Sequence, residues 1–194
     1  MAREEMSKGD RTGMLEACLL RIARLLNAEG IGWALGASMR LYYAGIVDCP
    51  RDLDLLVTRQ DAEAADAALR RVGERLPEKE TAAYDTERFH EYDVDGVEVD
   101  LMAGLVIRHG AGHYAYPFDP ALCTPHWLSG ERIPLSPLED WYVLYQLMEG
   151  RQARVEAIGV YLRTHGARPD VLRARLKDPL PKNIKASLKA LPTR

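Results

Sequence analysis

Several common signatures are absent from this 194-residue chain, and each absence excludes a class of protein. The three cysteines, Cys18, Cys49 and Cys123, are too few and too widely spaced for a disulfide framework or a zinc site, and they fit a reducing cytoplasm. No apolar run approaches the length of a membrane span, and the charged segment 1–11 lacks the apolar core of a signal peptide. We therefore expect a cytoplasmic protein with no membrane partner.

Motifs of several enzyme classes are also missing. The sequence contains no Walker P-loop, no dinucleotide-binding fingerprint and no pattern typical of a Ser-His-Asp triad. His109 and His113 have the spacing of zinc ligands on a helix, but Gly110 and Gly112 disfavour a helix there. The chain is long enough for one well-buried domain with a small appendage, and it shows no internal repeat.

Charge is distributed unevenly along the chain. The net charge of −3 combines −10 over residues 1–162 with +7 over residues 163–194, where nine arginines and lysines face two aspartates. We divide the chain accordingly into a domain (1–162) and a basic helical extension (163–194). Ile184, Leu188 and Leu191 form a narrow apolar stripe, so we expect the extension to dock weakly on the acidic domain. A solvated helix face and a nucleic-acid contact remain the alternatives.

Hydrophobic periodicity predicts an α/β chain, in which strands and helices alternate before a helical C-terminal region. We predict strands at 32–35 and 52–57, a hairpin at 92–101, a second short hairpin across 129–130, and a loop at 107–120. We predict helices at 12–28, 38–44, from Thr58–Asp61 onward, from Ser136-Pro137 to about 148, at 155–162, and at 170–176 and 183–191. Ser136 is the expected N-cap of its helix.

Two carboxylates lie on one face of a predicted strand. Asp52 and Asp54 alternate with Leu53 and Leu55, so both acids point to the same side. Like charges this close repel unless a cation lies between them, and paired carboxylates suit Mg²⁺ that also binds substrate phosphates. The small-residue turn at 36–38, one helix earlier, would offer backbone N–H groups to phosphate. The sequence therefore predicts a metal site and a phosphate site close together.

A hairpin supplies further carboxylates. The Asp-Gly pair at 95–96 is typical of a two-residue type I′ turn, which places Glu91 opposite Asp100 and Asp93 opposite Glu98. Four carboxylates on one sheet face destabilise the sheet unless a cation, a basic ligand or solvent relieves the repulsion. We therefore expect Glu91 to lie beside Asp100, close to the metal site.

The order of these features resembles the nucleotidyltransferase-fold superfamily. Its pattern is a hydrophobic strand ending in Gly-Gly or Gly-Ser, a short helix, an Asp-x-Asp strand, and a third acid on a later strand. Here Gly36 and Ser38 match the first part, Asp52 and Asp54 the second, and Asp100 the third. The likeness is greatest to small stand-alone members whose activity is mostly unassigned.

The resemblance spans residues 32–162 and implies an α/β fold in which a small mixed sheet is flanked by helices. It also implies chemistry with two divalent ions, Mg²⁺ or Mn²⁺. It implies that Asp52 and Asp54 bind both ions and that Asp100 binds only the ion on the nucleophile side. Ser38, with the backbone of Gly36 and Ala37, would then hold the β- and γ-phosphates of a nucleoside triphosphate.

Three further residues are expected beside this site, and two departures from the family pattern stand out. The residues that we expect to lie around the metal and phosphate site are Glu91, Arg40 and Arg51. Ala37 separates the glycine from the serine. The stretch Gly-Arg-Gln-Ala-Arg at 150–154 lacks the acid of the Gly-Arg-x-Lys-Asp motif found in relatives linked to abortive infection, so that motif's role is not assigned to it.

The leading hypothesis from the sequence is metal-dependent transfer of a nucleoside monophosphate from a nucleoside triphosphate to an unidentified hydroxyl acceptor. One alternative is a protein of the same fold that binds nucleotide or a protein partner without catalysis. The other is a nucleic-acid-associated module that acts through the basic extension.

Overall fold

The computed structural model describes residues 8–77, 86–110 and 112–194. The helices of these residues are α1 (Lys8–Ala28), α2 (Ala37–Tyr42), α3 (Ala62–Leu69), α4 (Leu138–Leu147), α5 (Gln152–His165), α6 (Pro169–Lys177) and α7 (Lys182–Lys189). The strands are β1 (Trp33–Leu35), β2 (Leu53–Val57), β3 (Glu74–Arg75), β4 (Arg88–Val94), β5 (Val97–Ala103), β6 (Val106–His109), β7 (Gly112–Ala115), β8 (Thr124–Leu128) and β9 (Glu131–Leu135). The predicted α/β class is confirmed. The extra helix turns before residue 12 and the short strand β3 were not predicted.

Seven strands form one mixed sheet in the order β3-β4-β5-β2-β1-β9-β8. β2 lies near the middle, antiparallel to β1 and parallel to β5. The β4–β5 hairpin has the predicted register, with Glu91 opposite Asp100 and Asp93 opposite Glu98. The predicted hairpin across 129–130 is also present as β8 and β9. A separate ribbon is formed by β6 and β7.

The two faces of this sheet bury different sets of side chains. On one face, Leu53, Leu55 and Val57 of β2 pack in a core with residues of α1 and α3, and we call this the α1 face. On the other face, Leu56 of β2 and Met102 of β5 pack in a second core with α4 to α7 and the β6–β7 ribbon. We call it the cleft face. The alternation of side chains along a strand explains how β2 contributes to both cores.

The C-terminal helices belong to the second core. The predicted apolar stripe does pack on the domain, because Ile184, Leu188 and Leu191 are at most 7% exposed. The prediction that it docks weakly on the surface is wrong, since the three residues are part of the core. Arg175 of α6 is also buried, with its Nε 3.3 Å from Asp140 of α4 and its Nη1 3.3 Å from an oxygen of Asp178. A basic composition suggested a surface helix, but this arginine is neutralised internally. The division of the chain at residue 162 stays a proposal.

Two local predictions are corrected by tertiary contacts. The segment 107–120 contains the β6–β7 ribbon instead of a continuous loop, because Ile107 and Tyr114 are drawn into the second core. Helix α4 begins after Pro137 with no side-chain cap. The Ser136 hydroxyl donates to the Leu35 carbonyl at 2.8 Å and accepts from the Trp141 indole at 2.7 Å, so it joins sheet to helix and caps nothing.

Among the helices formed by the described residues, none combines the length and the apolar character that a membrane span requires.

Candidate functional site

Strand pairing brings the predicted acids together on the cleft face. Asp54 of β2 is the register partner of Asp100 on the parallel strand β5, and Asp100 is the register partner of Glu91 on β4. These three residues therefore form a row across three adjacent strands. Asp52 lies two residues before Asp54, immediately before β2. The side chains of Asp52, Asp54 and Asp100 all line one cleft, as the sequence predicts.

The cleft lies between the sheet and the junction of α4 with α5. Besides its three acids it is lined by Ala37 and Ser38 and by three basic side chains, which are Arg51, Arg151 and Arg154. Its remaining walls are apolar and aromatic, and include Phe89, Met102, Trp141, Tyr145 and Met148. The cleft thus combines carboxylates, guanidinium groups and an apolar surface, the mixture expected of a site for a charged ligand with a flat ring.

Hydrogen bonds fix the acids of β2 to the turn at 36–38. The Ser38 hydroxyl donates to Asp52 at 2.9 Å, and the Gly36 backbone N–H donates to the Asp54 carbonyl at 2.8 Å. Burial raises the pKa of Asp54 well above its usual range, and the charges of Asp52 and Asp100 add to the rise. The backbone N–H of Ser38 and the charge of Arg151 oppose it. A divalent cation would remove this penalty by neutralising the carboxylates.

The turn itself has a different construction from the one that the sequence suggested. Gly36 does not line the cleft, and a Cβ at this position would lie 2.3 Å from Cζ2 of Trp141. The glycine is therefore required by the indole that packs against it. Ala37 has a φ of 38°, a left-handed conformation that an alanine rarely adopts. The residue that separates the glycine from the serine thus carries the strain of the turn.

A second group of carboxylates adjoins the row. Among the described residues, oxygens of Glu91, Glu98 and Asp100 lie within 4.8 Å of one another. Glu91 was expected here. The predicted hairpin register put Glu98 on the same sheet face as Asp100, because it lies two residues earlier on the strand. Glu98 itself was not assigned to the site from the sequence. Carboxylate oxygens are the ligands that Mg²⁺ and Mn²⁺ prefer, so the donor set fits such ions.

The structure does not bring Arg40 to the cleft. Its Nε donates to the Ser136 carbonyl at 2.7 Å, and burial lowers the pKa of Arg40 to about 10 while the nearby Glu139 opposes that change. Arg51 does line the cleft, as predicted. Arg151 and Arg154 line it too, although the sequence assigned them no role. Both arginines belong to the 150–154 stretch, whose partial match to the Gly-Arg-x-Lys-Asp motif could have indicated them. No role was assigned to that stretch because it lacks the acid of the motif.

Comparison with known proteins extends this description. No family model matches the chain, and no curated protein matches it. A candidate nucleotidyltransferase from Thermotoga maritima has a similar structure, with a TM-score of 0.58 at 19% identity, over 84% of this chain and 98% of that one.

The antibiotic-resistance factor ANT(2'')-Ia is also similar. Its crystal structure with adenylyl-2''-tobramycin gives a TM-score of 0.55 at 9% identity, over 91% of this chain and 96% of that one. Its solution structure gives 0.56 at 10% identity, over 79% and 85%. At such low identities the likeness shows the fold alone.

Proposed function

We propose that this chain, which has the nucleotidyltransferase fold, transfers a nucleoside monophosphate from a nucleoside triphosphate to a hydroxyl acceptor. The acceptor oxygen would bond to the α-phosphorus, and the bond from that phosphorus to the β-phosphate oxygen would break and release pyrophosphate. One observation carries the proposal: Asp52, Asp54 and Asp100, from two neighbouring strands, line a single cleft together with Ser38. The raised pKa of Asp54 supports it, because a group of carboxylates that is costly to ionise becomes stable when a divalent cation binds.

Each residue has a proposed part in the reaction. Asp52, Asp54 and Asp100 would hold Mg²⁺ or Mn²⁺, which when bound would supply positive charge at the phosphates and activate the attacking hydroxyl. Ser38 holds Asp52 by its hydroxyl. The backbone of Gly36, Ala37 and Ser38 would bind the phosphates. Asp100, with Glu91 and Glu98 beside it, would accept the proton of the acceptor hydroxyl.

The neighbouring structures suggest the first nucleotide to test. ANT(2'')-Ia was solved with adenylyl-2''-tobramycin, an adenylylated product. We therefore propose ATP as the first donor for this chain, with GTP as its comparison. The acceptor is proposed only as a hydroxyl, and the cytoplasmic location remains a prediction.

The burial of basic residues disfavours the nucleic-acid alternative. Arg175 is buried in a network with Asp140 and Asp178, and Arg168 pairs with Asp170. These arginines account for part of the positive charge of the C-terminal segment but do not present it freely at the surface. Binding of nucleic acid by this segment should therefore be weak and should fade steeply with salt.

Calorimetry with ATP and GTP, in the presence and absence of Mg²⁺, tests the proposal. We expect Mg²⁺-dependent binding by the wild type. The double variant Asp52→Asn/Asp54→Asn should bind at least about a hundred-fold more weakly, because substitutions that only support a metal ligand already cost 10–100-fold. The matched control is Glu74→Gln on β3, an exposed acid outside the cleft. Equal binding by the wild type and the double variant would refute the proposal. Product formation with candidate acceptors then separates transfer from binding alone.

A further inference from the structure

The helical wall of the cleft carries two arginines that form no ion pair with any acid among the residues that the structure describes. Arg151 immediately precedes α5 and Arg154 lies in its first turn. Both side chains line the cleft. None of the ion pairs formed among residues 8–77, 86–110 and 112–194 includes either arginine. This is unusual for residues beside a group of acids, and it leaves two guanidinium groups available to a ligand.

The opposite wall of the same cleft is acidic. Asp54 and Asp100 lie on the sheet, and the charge of Arg151 acts on Asp54 across the cleft. The guanidinium carbon of Arg151 is 5.9 Å from the centre of the Tyr145 ring, so this arginine rests on an aromatic surface. The cleft therefore has one negative wall and one positive wall.

A ligand that fits both walls carries charges of both signs. A simple cation would be attracted by the acids but repelled by the arginines, and a simple anion would meet the reverse. A nucleoside triphosphate with a divalent cation presents the metal to the carboxylates and its phosphate oxygens to the guanidinium groups. Arginine suits this role because its planar fork donates two parallel hydrogen bonds to phosphate oxygens.

We infer that Arg151 and Arg154 bind the β- and γ-phosphates of the nucleotide, an inference that rests on the proposed function. The two residues are three positions apart at the start of a helix, so their side chains project from the same face of its first turn. The dipole of α5, a helix of 14 residues, adds to the positive charge at this end. The two arginines thereby hold the phosphate tail from the helical wall, in addition to the turn at 36–38, while the metal is held from the sheet.

The test compares nucleotides that differ only in their number of phosphates. Binding of ATP, ADP and AMP is measured by calorimetry with Mg²⁺ for the wild type, Arg151→Gln and Arg154→Gln. Each variant should bind ATP about 10- to 100-fold more weakly, the range expected for loss of a hydrogen bond to a charged group. The preference for ATP over AMP should shrink by the same factor, while AMP affinity should change little. Arg154→Lys should restore part of the ATP affinity, since it keeps the charge but loses the fork.

Arg163→Gln is the matched control, because Arg163 is an exposed arginine on the same helix outside the cleft. Wild-type affinity for all three nucleotides is expected of it. If the wild type binds Mg²⁺–ATP and both glutamine variants keep its preference for ATP over AMP, this inference is wrong while the proposed function stands. If the wild type itself shows no Mg²⁺-dependent ATP binding, the proposed function fails and this inference with it.

Discussion

The two faces of the central sheet use the same strands in opposite ways. On the α1 face, Leu53, Leu55 and Val57 are fully or almost fully buried and continue one apolar core. On the cleft face, the intervening residue Asp54 is a carboxylate and only Leu56 is apolar. The α1 face therefore stabilises the fold. On the cleft face, the buried carboxylate of Asp54 lowers the free energy of unfolding until a cation binds. The difference shows how one five-residue strand serves both structure and chemistry.

The largest expected effect concerns the core that supports the cleft from the helical side. Arg175 is 3% exposed and lies between Asp140 and Asp178, and Tyr116 donates its hydroxyl to Asp140. Arg175→Gln would leave the buried carboxylate of Asp140 without its countercharge. We expect the free energy of unfolding to fall by about 3–5 kcal/mol, measured by urea denaturation.

Arg173→Gln, an exposed substitution on the same helix, is the control and should change stability by less than about 0.5 kcal/mol. Equal effects of the two substitutions would show that the C-terminal helices do not share the core, and would favour their description as a separate extension after residue 162.

Neighbouring residues on β2 give the sharpest contrast between the faces. Leu55→Ala opens a cavity in the core of the α1 face and should lower the free energy of unfolding by about 2–5 kcal/mol. Asp54→Asn removes a carboxylate whose pKa is raised in the folded state, so it should stabilise the metal-free protein by on the order of 1 kcal/mol at neutral pH. Of these two substitutions, only Asp54→Asn should abolish metal-dependent nucleotide binding.

The pH dependence follows from the sign of the Asp54 shift. The folded state binds the proton of Asp54 more tightly than the unfolded state does. The loss of stability caused by ionised Asp54 is therefore absent below the ordinary pKa of an aspartate, about 4. It grows as pH rises and is complete above the raised pKa of the folded state. The stabilising effect of Asp54→Asn should therefore vanish in acid, as followed by urea denaturation from pH 3 to pH 7. A destabilising effect of Asp54→Asn at pH 7 without metal would contradict the view that Asp54 on the cleft face lowers the stability of the metal-free protein.

The acidic wall could be predicted from sequence because it depends on local rules. Strand alternation places Asp52 and Asp54 on one face, and the Asp-Gly turn at 95–96 sets the register that puts Glu91 beside Asp100. The nucleotidyltransferase resemblance supplied the order of the turn and the three acids along the chain, and the similar solved structures confirm that fold. Each of these steps uses residues that are close in the chain or a motif with fixed order.

The helical wall could not be predicted in the same way. Whether Arg151 faces the cleft depends on how α5 packs after α4, which no short pattern encodes. The burial of Arg175 depends on Asp140, 35 positions earlier, so a basic composition gave the wrong expectation for α6 and α7. The β6–β7 ribbon likewise depends on the core that receives Tyr114. These are tertiary effects that override local propensity.

The smallest expected effect concerns the strained turn and compares one alanine on each face. Ala37 has a positive φ, so Ala37→Gly relieves backbone strain but loses a buried methyl group and adds freedom to the unfolded chain. These terms are each about 1 kcal/mol, and we expect a net change within about 0.5 kcal/mol. Ala65→Gly, in α3 on the α1 face, has no strain to relieve and should cost about 1–2 kcal/mol. Urea denaturation of both variants measures the difference. Equal losses at the two positions would show that the turn before Ser38 stores no strain. If the turn is strained, Ala37→Gly should also keep Mg²⁺-dependent ATP affinity within a few-fold of the wild type, because glycine adopts this φ readily and preserves the backbone that faces the cleft.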